Sequence, residues 1–435
     1  MNLFERTLKW NGFRIAEAKR QLKEIQNIPE NEYHKYVIEK RKELVDYHLK
    51  ENPFYKALVG EKTISHWEDV PIMQKKDLQR PLAQRLSKGF TPKNSYVNKT
   101  SGSSGHPFIF AKDKACHALS WAEFIDRYHW HNIHLNNSLQ ARFYGIPLDP
   151  LGYQKERLKD RLSNRYRFPI FDLSDKKNEE FLKTFRRKKF DHINGYTSSI
   201  VLFAKYLKRK NIVLRVVCPT LKQCIVTSEM LYADDKKLLE TTIGVPVINE
   251  YGASELGLIA FSNSKDEFVV NSEGLFVEVV DENDKPLPNG KPGRLCITSL
   301  YNKAHPIIRY DIGDTGVLAE NSTFKKPILE QLIGRTNDVA KLPSGKTVPG
   351  LTFYYVTKSV IEDNGNVKEF IIEQMALDTF KIIYVSERAL TDQEMKAIEN
   401  ASYAYLESGL TIEFERTPAL DRSNRGKLKQ FISKL

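Results

Sequence analysis

Cysteine is scarce in this chain, with four residues in 435 at positions 116, 218, 224 and 296 and no CxxC pair, so structural disulfides are not expected. Long apolar runs are missing too: no stretch of about 18 uncharged apolar residues occurs, which excludes a transmembrane helix by composition. The first segment, MNLFERTLKWNGFRIAEAKRQ, mixes charges with its apolar residues from Glu5 onward and lacks a signal-peptide core, and a cytoplasmic location is the expectation. A Walker phosphate loop is absent, because Gly345-Lys346-Thr347 has Ala340 where the first glycine must stand. Charge of one sign is not gathered anywhere. The net +12 is spread over 67 basic and 55 acidic residues without a tail of like charge. The densest basic cluster, Lys183 to Lys189, sits in a helix expected from near Asn178 and reads as a solvated face. A basic nucleic-acid-binding protein is the alternative class, and it would need charge on one face together with base-stacking aromatics.

What is present begins with Tyr96 to Phe110, YVNKTSGSSGHPFIF. A strand enters a run in which Thr100, Ser101, Ser103 and Ser104 interleave with Gly102 and Gly105, and His106-Pro107 stops it before an apolar strand. Glycines let backbone N–H groups turn inward and the hydroxyls add donors, which together make an anion nest suited to phosphates. Upstream, residues 3–51 show helical spacing around a break at Pro29. Downstream, 112–134 reads as a helix rich in aromatics and histidine. His129 and His131 would fall on different faces of that helix, so no metal site is expected there. Residues 140–148 read as a buried strand ending in a Gly turn, and helices alternate with strands through 212–259, a parallel α/β layout.

Further motifs follow. Asn249 to Gly257, NEYGASELG, comes after an expected strand from Val245 to Ile248, and residues 268–300 hold short strands with turn signals. Then come Pro306 to Asp314 (PIIRYDIGD), Gly334 to Asp338 (GRTND) and Asn424 to Lys427 (NRGK). Between the last two, the pattern predicts strands at 369–374, 379–385 and 411–415 and a helix near 392–406.

In this order, over about residues 50–430, these segments resemble the adenylate-forming superfamily of acyl-CoA ligases, peptide-synthetase adenylation domains and luciferases. The short chain and the flanking sequence are similar to the phenylacetate-CoA ligase family and its capsule-biosynthesis relatives. The resemblance implies an α/β fold. A large N-terminal domain, residues 1–334, would combine α/β subdomains with a β-rich subdomain, and a small mobile α+β C-terminal domain would span 335–435. It implies nucleotide binding by Thr100, Ser101, Gly102, Ser103, Ser104, Gly105, Ser228, Glu229, Tyr251, Gly252, Ser254, Asp314 and Arg335. Tyr251 would stack on adenine, Ser254 meet phosphate or acyl carboxylate, and Asp314 accept from the ribose hydroxyls. The catalytic pair would be Glu255, holding Mg²⁺, and Lys427, a compact charge bridging the substrate carboxylate and the α-phosphate. Tyr144, Gly145 and Tyr196 would border the acyl pocket, and the hinge would fall at Asn337 with Asp338 adjacent, where the family commonly has Asp or Lys.

The implied partners are ATP, Mg²⁺, a small carboxylic acid and coenzyme A. An amine, a hydroxyl or a carrier protein is the alternative acceptor. Many phenylacetate-CoA ligases carry a cysteine-rich zinc site before the GRxxD motif. Here that interval reads NSTFKKPILEQLIGR, with neither cysteine nor histidine, so no zinc is expected and the capsule-biosynthesis relatives become the nearer comparison.

Overall fold

A computed structural model describes residues 3–435 apart from 76, 100–108, 147–149, 171–172, 174, 336–338, 346, 350–355, 357–365 and 421–430. The chain forms two compact units, Met1–Ile312 with Gly316–Gln331, and Gly313–Thr315 with Leu332–Leu435.

The first unit opens with helices α1 (Leu3–Trp10), α2 (Ile15–Gln26), α3 (Glu30–Glu51) and α4 (Pro53–Val59). Helix α2 buries Ile15, Ala18, Leu22 and Ile25, the i, i+3, i+7 stripe that its periodicity demands. Asn52 starts α4: its Oδ1 accepts from Tyr55 N at 2.8 Å, with Pro53 in the first turn where no N–H is missed.

Strands β1 (Tyr96–Lys99) and β2 (Ile109–Lys112) pair antiparallel with Lys99 opposite Ile109, so the hairpin brackets the Ser/Gly run. Helix α5 (Lys114–His129) follows, capped by Asp113 Oδ1 on Cys116 N at 2.8 Å. It stops short of the expected 134 because Asn132 takes a left-handed φ of 55° and turns the chain. His131 then gives Nε2 to the Ser262 carbonyl at 2.7 Å, a structural bond.

A seven-stranded sheet forms the centre, in the order β4-β3-β5-β6-β7-β8-β9. Its strands are β3 (Gln140–Phe143), β4 (Arg165–Phe168), β5 (His192–Tyr196), β6 (Gln223–Thr227), β7 (Val247–Ala253), β8 (Gly257–Ser262) and β9 (Phe268–Val270). The run from β4 to β7 is parallel; β8 and β9 are antiparallel additions. Helices α6 (Pro150–Leu162), α7 (Asp175–Arg187), α8 (Thr197–Arg209), α9 (Leu214–Val217) and α10 (Ala233–Ile243) supply the crossovers. Phe143 and Phe168 from the sheet, Phe181 and Phe185 from α7, and Phe203 from α8 form an aromatic core, with Phe168 and Phe185 stacked at 5.1 Å. In the basic cluster Thr184 and Phe185 point inward while Lys183, Arg186, Arg187, Lys188 and Lys189 are exposed, the solvated face that the spacing predicts.

A second sheet runs β10 (Leu275–Val280), β11 (Gly293–Ser299), β12 (Tyr310–Leu318) and β13 (Leu329–Arg335), in that order. The second unit contains β14 (Val339–Lys341) paired with β15 (Thr347–Pro349), and a four-stranded sheet ordered β18-β17-β16-β19. Its strands are β16 (Val367–Gln374), β17 (Thr379–Ser386), β18 (Thr411–Arg416) and β19 (Phe431–Ser433), with α11 at Asp392–Tyr405. Thr391 and Glu394 form a capping box at the start of α11, and Arg388 clamps Glu394 at 2.7 and 2.8 Å. Ile372, Phe380, Ile382, Ile398 and Phe431 make its core.

One buried cluster links α5 to the loop before β10. Arg127 ion-pairs with Glu273 and, at 2.6 Å, with Asp126, and it donates to Asn271 at 3.0 Å. Beside it Glu123 is 4% exposed, and Gly274 packs so closely that a Cβ there would stand 2.2 Å from Glu123 Oε1. Burial first, and then the Glu273 charge, push the Glu123 carboxyl up to about 8. A carboxyl raised on folding stabilises below its ordinary range, and that contribution is lost as pH rises through about 8. Glu123→Gln should therefore match wild type near pH 5 and exceed its melting temperature by about 2 °C or more at pH 8.5. Thermal unfolding of both proteins across that range checks this, and a difference that does not grow with pH would clear Glu123.

Candidate active site

Parallel pairing in register ends four strands together. Phe143 lies opposite Gly195, Tyr196 opposite Thr227, and Thr227 opposite Glu250, so the carboxyl ends of β3, β5, β6 and β7 form one edge. Open α/β sheets bind their ligands at that edge. Residues Tyr144, Gly145, Tyr196, Ser228, Glu229 and Tyr251 are all delivered to it.

Gly195 makes the close approach possible: a Cβ there would stand 2.5 Å from Phe143 Cβ and 2.6 Å from its carbonyl oxygen. The next residues on the two strands, Tyr144 and Tyr196, bring their ring centroids to 4.6 Å. Tyr144 ends the strand earlier than the expected 148. Its phenol is raised above the ordinary range by burial, which keeps it neutral.

After β6, Ser228 is exposed with a left-handed φ of 69°, a strained conformation for a non-glycine residue at a strand end. Glu229 turns back instead. Its carboxylate accepts from Ser198 N at 2.7 Å and Ser198 Oγ at 3.1 Å, and its carbonyl accepts from Thr197 Oγ1 at 3.2 Å. The carboxylate thus satisfies one of the unpaired N–H groups at the start of α8, and its charge complements the helix dipole.

The NEYGASELG segment is part strand and part turn. Strand β7 continues through Tyr251 and Gly252 to Ala253, and a register shift between those two residues bends the hairpin into β8. Gly252 is required there, since a Cβ would lie 2.8 Å from the Gly257 carbonyl. Residues 254–256 form the turn, with Ser254 exposed and Glu255 turned inward at 6% exposure. Glu255 Oε1 accepts from Tyr310 OH at 3.3 Å.

Two neighbours of Glu255 escape sequence reasoning. Tyr310, 2% exposed, reaches it from the middle of the PIIRYDIGD segment. Its neighbour Arg309 is structural, bound to Glu278 at 3.0 Å and to the Val70 carbonyl at 2.7 Å. Lys112, also 2% exposed, places its ammonium 3.5 Å from where a Cβ on Gly257 would stand. Burial lowers the proton affinity of Lys112, while Cys116, Glu123 and Glu255 each raise it. The only signal in the sequence was a lysine closing the apolar run FIFA.

Asp314 is buried on β12 beside Gly313, whose φ is 84°, and belongs to the second unit, as does Arg335 at the end of β13. Thr100, Ser101, Gly102, Ser103, Ser104, Gly105, Asn337, Asp338 and Lys427 lie outside the described residues.

Glu255 fits Mg²⁺ in kind: a buried hard-oxygen donor held by a neutral hydroxyl, for a cation that takes one or two carboxylates and fills the rest of its shell with phosphate and water. Among the described residues no group of three or more His, Cys, Asp or Glu could hold a metal, and all four cysteines are free and buried. Purified protein should hold substoichiometric zinc and keep its melting temperature in chelator. Elemental analysis finding one tightly held zinc per chain would refute this. No described helix is long and apolar enough to cross a membrane.

No family model matches the chain. It is 25% identical to protein CapK of Staphylococcus aureus over 345 residues, 75% of this chain and 70% of the relative. It is 24% identical to a phenylacetate-coenzyme A ligase of Thermus thermophilus over 335 residues, 73% of each. Among solved structures, 2-hydroxyisobutyryl-CoA ligase in the postadenylation state aligns over 94% of this chain and 90% of its own with a TM-score of 0.69 at 18% identity. That likeness establishes the fold.

Proposed function

We infer that this chain, an adenylate-forming ligase of the phenylacetate-CoA ligase family by fold and similarity, activates a carboxylic acid with ATP and passes the acyl group to coenzyme A. The observation that carries the site assignment is the contact of Lys112 with Gly257. Strand β2, which leaves the Ser/Gly run, thereby lies against the hairpin that presents Tyr251, Ser254 and Glu255.

The reaction needs little covalent chemistry from the protein. The acid's carboxylate attacks the α-phosphate in line, the bond to pyrophosphate breaks, and the adenylate's carbonyl is then attacked by a thiolate with AMP leaving. Positioning and charge neutralisation supply the rate. In this reading Tyr251 offers a face to the adenine, while Thr100 to Gly105 with Ser254 offer donors to phosphate. Ser228 offers its exposed hydroxyl, Asp314 and Arg335 would meet the ribose, and Tyr144, Gly145 and Tyr196 would line the acyl side. Bound Mg²⁺ would spread the phosphate charge. Glu255 would hold it, and Tyr310 fixes that carboxylate's rotamer. The second unit is proposed as the mobile domain, residues 335–435, turning at Asn337–Asp338.

Pyrophosphate release across a panel of carboxylic acids, without and then with coenzyme A, tests the reading. Release with at least one acid and thioester on adding coenzyme A support it. Adenylate that is consumed only by an amine, a hydroxyl or a carrier protein would reassign the acceptor.

A further inference from the structure

Beneath the Tyr144–Tyr196 pair stands a cation that the reaction described so far does not employ. Side chains alternate along β3, so Phe143 enters the aromatic core while Arg142 and Tyr144 share the opposite face. The Arg142 guanidinium lies over the Tyr144 ring, 3.8 Å from its centre. Nη1 donates to Gln140 Oε1 at 3.2 Å, and Nε is buried without a hydrogen bond.

Other arginines near this sheet are ion-paired with acids, although Arg127 and Arg165 also keep a buried Nε without a hydrogen bond. Arg127 holds Glu273, Arg165 meets Asp160 at 3.2 Å, and Arg167 meets the same Asp160 at 2.8 Å. Arg142 has no ion-pair partner among the described residues. The carboxylate in its field, Glu250, is engaged elsewhere, accepting from Tyr128 OH at 2.8 Å, and burial pushes it toward the neutral acid.

A guanidinium is always charged, and a half-buried one with unspent donors is costly until an anion completes it. Its planar fork matches a carboxylate through two parallel bonds, which a point charge cannot do. The stacking on Tyr144 holds that fork at the strand end where the acyl pocket is assigned. We propose that Arg142 determines specificity by binding a second carboxylate, so that the acid activated here is a dicarboxylic acid of which one end is adenylated while Arg142 holds the other. This rests on the adenylation reading given above.

The test uses the full-length protein and a homologous series of aliphatic and aromatic dicarboxylic acids, each paired with the monoacid in which the far carboxylate is replaced by methyl. Wild type should favour at least one diacid over its methyl partner by about 10²-fold in kcat/KM for pyrophosphate release. Arg142→Met should collapse that ratio to about one, and Arg142→Lys should restore part of it, since charge returns without the fork. A wild type that prefers the methyl member of every pair overturns the proposal. So does an Arg142→Met protein that loses activity equally on both members, which would make Arg142 a support for Tyr144. Calorimetric titration of each diacid into wild type and Arg142→Met separates this proposal from the adenylation reading. If wild type binds Mg-ATP yet releases pyrophosphate with no acid, adenylation falls, and diacid binding lost in the variant still upholds Arg142, while unchanged binding refutes it.

Discussion

Replacing Lys427 with alanine is expected to lower acyl-adenylate formation by about 10²-fold or more, the scale of losing one preorganised charge contact. The same variant, given preformed acyl-adenylate, is expected to form thioester at close to the wild-type rate. The reason is where charge develops. In the first half-reaction a carboxylate meets an α-phosphate, and a compact ammonium between them stabilises the transition state more than the ground state. In the second, the carboxylate charge is already lost in the adenylate, and under the proposed domain alternation the small domain would have turned to admit the thiol. Two stopped assays, adenylate from acid and ATP and thioester from adenylate and coenzyme A, read the two steps separately. If both fall together, Lys427 is structural or the domains do not alternate. If neither falls, the NRGK match is accidental and Lys429 is the next residue to replace.

Glu255→Gln is expected to abolish detectable pyrophosphate release at physiological Mg²⁺, with the fold intact. The amide is nearly isosteric and still accepts from Tyr310, so the hairpin keeps its shape, but a neutral oxygen is a poor ligand for a hard divalent cation. Far-ultraviolet circular dichroism and melting temperature should match wild type. Raising Mg²⁺ should recover part of the rate if the loss is one of affinity. A variant with an unchanged rate at ordinary Mg²⁺ would remove Glu255 from the site.

Much of the architecture was legible because periodicity and punctuation report local structure. The capping residues Asp113 and Thr391 stand at the helix starts they should mark, and the strands and helix expected between 369 and 415 occur within a residue or two. Boundaries failed where a backbone detail overrode the pattern. Helix α5 ends early at the left-handed turn of Asn132, and β7 runs on through Tyr251 because Gly252 permits a bulge where a Cβ would lie 2.8 Å from the Gly257 carbonyl. Parallel pairing of β17 with β18 and of β16 with β19 has no local signature at all.

The candidate site divides in the same way. Tyr251 and Glu255 were picked out by the resemblance of NEYGASELG to the family motif. Lys112, Arg142 and Tyr310 were not, since a basic or aromatic residue in a strand looks alike whether it meets solvent, a core or a ligand. For two of them the meaning lies in partners 55 and 145 residues away, Tyr310 with Glu255 and Lys112 with Gly257. Glu229 is the reverse case, a residue matched to nucleotide binding whose carboxylate is occupied in starting α8.

That anchoring of Glu229 ties the loop after β6 to the start of α8. The strained peptide at Ser228 and the first turn of α8, which begins at the residue after Tyr196, share one carboxylate as a common strut. A change at Tyr196 that moves the start of α8 would also move the Ser198 N–H and hydroxyl that Glu229 holds, and with them the loop at Ser228. If Tyr196 lines the acyl side and Ser228 the nucleotide side, as proposed, acyl selectivity and nucleotide affinity would be coupled through Glu229. Changes that tune one are best made on the Tyr144 side, where β3 has no such strut.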